Sequence, residues 1–443
     1  MPVPPGNNAY KSWGNYPTAA HRKVLRPTWM DEITIGLLRE NAPLLAHGMG
    51  RSYGDSCLND GGTLMDMRGL DRILHFDPER GTILCEAGVS LGEILLVAVP
   101  RGWFLPVTPG TKMVTIAGAI ANDVHGKNHH VEGTMGCHVE RFELVRSTGE
   151  QLLCSPDENP ELFAATIGGL GLTGIILWAE LRLKRIASSQ IEMETDPFST
   201  FDDFIQLSSD GEGRKFEYTV GWLDCLSGRK TRGIFMRGNH AAAGELRTHP
   251  RSSHLTVPFM LPGFTLNRLS IWGFNTLYYA AGRMKSGDRQ VHYDPFFYPL
   301  DKINNWNRIY GKGGFTQYQC VVPVSEAAVF QEILERIARA GQGSFLSVVK
   351  KFGSVQSPGM MSFPRPGLTL ALDFPFRGEK TLKLFAMLDE LVLAAKGALY
   401  PAKDPRMSRE MFRASYPRLE EFRKYVDPAL SSSFWRRVAG EQR

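Results

Sequence analysis

Apolar and polar positions change rhythm several times along the chain, and the rhythm predicts elements before any residue is given a role. Between residues 40 and 100, short apolar runs alternate with turn residues. Pro43-Leu-Leu-Ala-His, Gly62-Thr-Leu-Met-Asp-Met, Ile73-Leu-His-Phe and Thr82-Ile-Leu-Cys read as strands. Ser90-Leu-Gly-Glu93 has the form of a capping box, in which the Ser oxygen and Glu carboxylate satisfy free backbone N–H groups, and it opens an apolar helix over Ile94 to Val99. Clean strand–helix–strand alternation is missing, so this part reads as mixed α+β rather than a Rossmann frame. Glycine thins out near residue 190, and a second unit begins. Phe216-Glu-Tyr-Thr-Val-Gly-Trp222, Gly233-Ile-Phe-Met, Gln317-Tyr-Gln-Cys-Val-Val, Phe345-Leu-Ser-Val-Val-Lys-Lys-Phe and Leu368-Thr-Leu-Ala-Leu-Asp-Phe read as strands. Between them, Ser325 is the expected cap of a helix with Val329, Phe330, Ile333, Leu334 and Ile337 on one face and Gly341 at its end. A last helix over Glu379 to Lys396 is expected to stop at Gly397, which predicts a small sheet covered by helices on one face.

Two apolar stretches bear on the membrane. Leu162 to Ala179 carries no charge for 18 residues, but Gly168, Gly169, Gly171 and Gly174 suit a tight turn entering a short buried strand rather than a spanning helix. Leu255 to Met284 is rich in large apolar residues, is interrupted by Arg268, and is closed by Arg283 and Lys285. It suits a segment lying on a bilayer; an ordinary buried hairpin is the plain alternative.

Composition adds bounds. The chain has 443 residues, 43% hydrophobic and 22% charged, which fits a soluble globular protein of two or three domains. Its net charge of +5 is compatible with an anionic ligand or membrane surface and too small for a nucleic-acid binder. The six cysteines lie far apart without metal-type spacing, so a reducing compartment is the simpler home. Met1-Pro-Val-Pro-Pro-Gly has neither a charged nor an apolar leader region, and no signal peptide is expected there.

Candidate chemistry sits in three glycine-rich segments, Gly48 to Gly54, Pro109 to Gly118 and Gly168 to Gly174. Such loops aim backbone N–H groups at one point and hold phosphate oxygens; singly, each is also an ordinary turn. None has the spacing of GxGxxG or a P-loop, so a dinucleotide outside those frames is the sharper reading. His125-Gly-Lys-Asn-His-His130 lacks the glutamate of an HExxH metal site, and no metal is expected. His125 and Lys127 suit the border of a cofactor or anionic substrate. Tyr400-Pro-Ala-Lys-Asp404 reads as a polar loop.

Taken together, GMGRSYGD (48–55), PGTKMVTIAGAIANDVHGKNHH (109–130), GGLGLTGII (168–176), QYQ (317–319), FPRPGLTLALDFP (363–375) and YPAKD (400–404) resemble the decaprenylphosphoryl-β-D-ribose oxidases, within the vanillyl-alcohol-oxidase-like, PCMH-type FAD fold. The resemblance runs from Ser12 to the C-terminus. It implies an α+β fold with an FAD domain at 1–188, a sheet-plus-helices substrate domain at 189–397, and a segment 398–443 returning to the FAD domain. It also implies oxidation of the ribose 2-hydroxyl of a polyprenyl-phosphate sugar, with hydride passing to FAD, and a separate short-chain reductase that completes epimerisation to the arabinose donor. The implied location is cytoplasmic and peripheral to the inner membrane, with 255–284 as a lid. Matching FAD-contacting positions are Ala46, His47, Gly48, Met49, Gly50, Arg51, Ser52, Tyr53, Gly54, Asp55, Ser56, Gly110, Thr115, Ile116, Ala117, Gly118, Asn122, Asp123, Val124, His125, Ile176 and Tyr400. His125 is expected to carry no covalent link to the flavin. Lys403 matches the catalytic lysine, with Tyr53, His125 and Lys127 as candidates for proton handling. Lys127, Trp222, Gln317, Gln319, Lys350, Thr369 and Ala371 match positions around the substrate. Ala371 stands where relatives carry an inhibitor-trapping cysteine, Thr369 where they carry asparagine and Phe297 where they carry tyrosine, so covalent inhibition is expected to fail. Two other functions compete: an aldonolactone or sugar-alcohol oxidase of the same fold, and a non-catalytic lipid or glycan binder.

Overall fold

The computed structural model of the chain describes residues 10–213, 216–250 and 255–440, so the Met1–Gly6 stretch, where no signal peptide is expected, lies outside the described residues. The early strands form as the alternation predicts. Leu44–His47 and Thr63–Asp66 pair in parallel in a three-stranded sheet with Lys23–Leu25. Ile73–Asp77 and Thr82–Glu86 join Ile175–Arg182, Val139–Val145 and Gln151–Cys154 in a five-stranded antiparallel sheet. The capping box is complete, with Ser90 Oγ accepting from Glu93 N and the Glu93 carboxylate accepting from Ser90 N. Leu162 to Ala179 resolves into the helix Pro160–Thr166, a glycine turn and a buried strand. Among the described residues, no helix is long and apolar enough to cross a membrane.

From residue 190 the chain builds one large sheet, not the small one expected. Eight antiparallel strands run in the order Gly287–His292, Gln190–Phe198, Gly233–His240, Tyr218–Leu223, Ser347–Phe352, Gly367–Pro375, Phe315–Val322 and Ala398–Leu399. One face is apolar. Tyr318, Cys320, Leu370 and Leu372 pack there against Phe330, Ile333, Leu334 and Ile337 of the helix Ala327–Ala340 and Leu384, Phe385 and Leu388 of the helix Glu379–Ala394. Two helix ends differ from the sequence reading. Ser325 does not cap: Val324–Glu326 is a 3-10 turn, and the helix starts at Ala327 with no side-chain cap bond. The later helix turns off at Lys396, which takes the left-handed conformation at φ 54° instead of leaving it to Gly397.

The segment Leu255–Met284 is no buried hairpin. It contains a helix, Arg268–Met284, capped at both ends of its first turn by the reciprocal Asn267 and Ser270 bonds. Only Ile271 and Asn275 are buried, and Asn275 anchors the helix by donating to Asp224 Oδ1 and Ser344 O. Several of the large apolar side chains are exposed, with Phe264 at 78%, Leu277 at 73% and Met284 at 88% exposure.

After Ala398–Leu399 the chain crosses back to the first sheets. Leu44 N donates to Ala429 O, Ser147 N to Asp427, and Arg437 forms a two-pronged ion pair with Asp55.

Candidate active site

The glycine-rich segments and the polar face of the large sheet enclose a cavity of about 1330 Å³. That exceeds the roughly 300–1,000 Å³ that houses one drug-sized ligand, leaving room for a dinucleotide and a second molecule. Ala46, Gly48, Met49, Gly50, Arg51, Ser52, Tyr53 and Ser56 line it from the first segment. Gly110, Thr115, Ala117, Gly118, Asn122, Val124, His125 and Lys127 line it from the second, Gly171, Gly174 and Ile176 from the third, and Tyr400 and Lys403 from the tail.

This wall fits FAD. The amides of Met49, Gly50 and Arg51 donate to no acceptor among the described residues, and Gly50 holds φ 61°, the left-handed conformation that turns successive N–H groups inward. Ser56 Oγ and Asn122 Oδ1 are buried in the same wall without hydrogen-bond partners. A set of buried donors and acceptors left open on one side is the complement of a phosphate- and ribose-bearing ligand.

Five positions expected to touch the cofactor do not line the cavity. His47 is hydrogen-bonded through Nδ1 to Cys57 O at 3.0 Å, Gly54 backs onto Asp404, and Asp55 is taken by Arg437. Ile116 is fully buried in the core. Asp123 accepts from Gly136 N at 2.8 Å and from the Ser357 and Ser362 hydroxyls, tying the His125 loop to the chain around residue 360. All five shape the loops that carry the wall.

The sheet supplies the opposite side through register. Gln317 pairs with Asp373, and Gln319 with Ala371, which pairs with Val348, which pairs with Trp222. Lys350 pairs with Thr369 one row along. Because strand side chains alternate, these rows all face the cavity while Tyr318, Leu370 and Leu372 face the helices. Thr369 commits its hydroxyl to Cys320 O at 2.9 Å, and Ala371 offers no polar group. Trp222 Nε1 donates to Phe345 O at 3.1 Å and its ring lies 4.6 Å from Tyr278 of the exposed helix.

His125 is buried between Phe352 and Tyr400, and burial with the neighbouring Lys350 holds its imidazole well below its ordinary value, so the ring is neutral. Both ring nitrogens are engaged, Nε2 with the Gln319 amide at 3.0 Å and Nδ1 with Lys350 Nζ at 3.1 Å. With Nε2 accepting, the ring proton sits on Nδ1 and meets a free amine. That agrees with Lys350, which burial and the nearby Lys127 and Lys403 push down to about 7. Burial alone brings Lys127 to about 7; its Nζ donates to Phe296 O and lies 4.2 Å from that ring's centroid, with Phe297 beside it. Lys403 Nζ sits 3.9 Å from the centre of the Tyr53 ring, lowered by burial and held up by Asp373.

Asp373 is the residue that sequence reading passed over. It is 1% exposed, lines the cavity, and accepts from Gln317 Nε2 through Oδ1 while Oδ2 has no partner among the described residues. Burial raises its carboxyl well above the carboxylate range, opposed by the Gln317 hydrogen bond and then by the Lys403 ammonium. The signal was a lone acid on the polar phase of the strand Gly367–Pro375, inside a motif already noted for other residues.

Comparison with known proteins accords with this site. The FAD binding domain family matches residues 34–155. The chain is 38% identical to decaprenylphosphoryl-β-D-ribose oxidase of Mycolicibacterium smegmatis over 87% of its length and 86% of the relative's. It is 32% identical to an uncharacterised protein of Streptomyces coelicolor over 77% of its length and 96% of that protein's. A putative D-arabinono-1,4-lactone oxidase of Neurospora crassa is 27% identical over 38% of this chain. The chain belongs to the decaprenylphosphoryl-β-D-ribose oxidase family of FAD-dependent oxidoreductases.

Proposed function

We propose that the chain oxidises the ribose 2-hydroxyl of a polyprenylphosphoryl-β-D-ribose to the 2-keto sugar. The observation that carries this reading is the two-part lining of the cavity. Glycine loops and amines make one part, and the other includes Phe274 and Tyr278, 45% and 40% exposed, on a helix that also exposes Leu269 and Leu277. A polar head on the first part and a hydrocarbon tail along the second would use both; a soluble aldonolactone would use one. Reduction of the keto group would fall to a separate short-chain reductase.

When bound, FAD supplies the hydride acceptor. The Met49–Arg51 amides, Ser56 and Asn122 would hold it, and Lys403 would stabilise negative charge as electrons arrive. Lys127 is placed to meet the substrate phosphate. Lys127, lowered to about 7 in the free site by burial, regains its proton when an anion comes close, because an opposite charge favours the ammonium, while Lys350 stays the amine that meets His125 Nδ1–H. His125, neutral and clamped by Gln319 and Lys350, fixes the pocket wall.

Mixing the yellow protein anaerobically with a polyprenylphosphoryl pentose and, separately, with a soluble aldonolactone decides the substrate. Bleaching by the lipid-linked sugar is expected; bleaching by the lactone alone would replace this reading with the lactone-oxidase one. Colourless protein that takes up no FAD would favour a binder.

Two further results are expected. Since both His125 nitrogens are engaged by protein groups, the flavin is held non-covalently and acid precipitation leaves it in the supernatant. The helix Arg268–Met284, with Arg283 and Lys285 at its rim, docks on anionic membranes. Serine at Phe264, Leu269, Leu277 and Met284 together is expected to weaken binding to vesicles containing phosphatidylglycerol by at least ~10-fold, given ~1.5–3 kcal/mol per fully buried large side chain. Unchanged sedimentation with vesicles would remove the docking role.

A further inference from the structure

We propose that Asp373 is the residue that takes the proton of the substrate hydroxyl, with Lys403 as its charge partner. The inference rests on the oxidase reading above. It starts from a simple requirement: a carbinol that gives up hydride must also give up its O–H proton, and a positioned base contributes roughly 10²- to 10⁴-fold to such a step.

Around the inner cavity the other polar groups are committed or of the wrong kind. Lys350 receives the His125 Nδ1–H on its lone pair and donates to Gly126 O, and Lys127, which donates to Phe296 O, is the amine taken up by the substrate phosphate. His125 has both nitrogens engaged. The Tyr53 hydroxyl is a weak base, and burial raises it well above its ordinary value. Asp373 differs. One carboxylate oxygen is fixed by Gln317, and the other is buried at the cavity wall with no partner among the described residues. Its backbone is pinned as well, since Asp373 N donates to Ser344 Oγ at 3.1 Å and Leu346 O at 3.3 Å. A buried carboxylate oxygen left open costs stability unless something meets it, and a substrate hydroxyl is a matching donor.

The step balances. The O–H bond breaks toward Asp373 Oδ2, the C–H electron pair leaves as hydride to the oxidised flavin, and a C=O bond forms. Asp373 becomes the neutral acid. The negative charge removed from the carboxylate reappears on the reduced cofactor, so the Lys403 ammonium faces one anion before the step and one after it. The groups facing Asp373 are Lys403 from the tail loop, Tyr53 from the first glycine loop, Tyr310 and Gln317. Of these, Lys403 alone is a cation. Reduction should therefore speed up with pH as Asp373 ionises and slow again as Lys403 loses its proton.

The test follows anaerobic flavin reduction in single turnover from pH 5.5 to 9 in wild type, Asp373→Asn and Asp373→Glu, with flavin content and melting temperature as structural readouts. The alcohol used is whichever bleaches the wild type, lipid-linked pentose or soluble lactone. Bleaching by the lactone alone overturns the substrate reading while still testing Asp373, and bleaching by neither overturns both. Asp373→Asn is expected to keep its FAD, to reduce at least ~100-fold more slowly and to lose the acid limb of the profile, with Asp373→Glu recovering part of both. Reduction within a factor of about 3 of wild type, with the acid limb unchanged, would overturn the proposal. If Asp373→Asn sheds its flavin, Asp373→Glu decides: an acid limb that does not move counts against Asp373.

Discussion

Lys403→Met is expected to purify yellow and to reduce its flavin at least ~100-fold more slowly than wild type, the size of effect a positioned charge supplies in a dry site. Methionine keeps the length and the contact with the Tyr53 ring, 3.9 Å from the present ammonium, but removes the charge. The loss should exceed what the local dielectric of water would allow, because Lys403 is buried and its carboxylate partner is Asp373. A second consequence separates this variant from a merely disturbed fold. Lys403 is the cation that holds the Asp373 carboxyl down. Without it, only the Gln317 hydrogen bond still opposes burial, Asp373 stays protonated to higher pH, and the acid limb of the reduction profile moves to higher pH. Stopped-flow absorbance across pH reads both effects. Wild-type reduction in Lys403→Met, or a slow variant whose profile has not moved, would take Lys403 out of the chemistry.

Much of the site was legible in the sequence because it is written in local signals. Glycine clusters, a capping box and strand alternation need only a few neighbouring residues to be read, and GMGRSYGD, HGKNHH and YPAKD mark three of the cavity walls. What could not be read depends on register. Nothing in Leu368-Thr-Leu-Ala-Leu-Asp-Phe says that Asp373 lies across from Gln317 rather than one residue along, and a one-residue slip would turn it to the helices. The size of the large sheet escaped for the same reason. Ala398–Leu399 is two residues long, too short to announce a strand, yet it pairs with Phe315–Val322 and so aims Tyr400 and Lys403 into the cavity. His47, Gly54, Asp55, Ile116 and Asp123 belong to the same motifs yet stand behind the cavity lining. A motif marks a loop, and in a loop every second or third residue points back to hold it in place.

Gly54 shows what such a supporting residue does. A Cβ on Gly54 would lie 2.5 Å from Asp404 O and 2.8 Å from Pro405 N, contacts with backbone that no rotamer change relieves. The two loops are tied together, with Tyr53 N donating to Ala402 O at 2.8 Å, and Asp55 is clamped by Arg437. Pushing them apart strains that bond, and Lys403, next to Ala402, moves with the tail loop. Gly54→Ala is therefore expected to cost about 1–3 kcal/mol of stability, the usual range for an added methyl in a packed interior. It should also slow flavin reduction by ~100-fold, since a displacement of ~1 Å in a positioning group has that effect. Gly36→Ala, in the short helix Ile35–Glu40, where an added Cβ would meet Thr34 Oγ1 at a comfortable 3.9 Å, is the matched control and should be neutral or slightly stabilising. Melting temperature and single-turnover reduction measured on both variants give the answer. A Gly54→Ala protein as stable and as fast as the Gly36→Ala control would mean that the contact between the two loops does not set the position of Lys403.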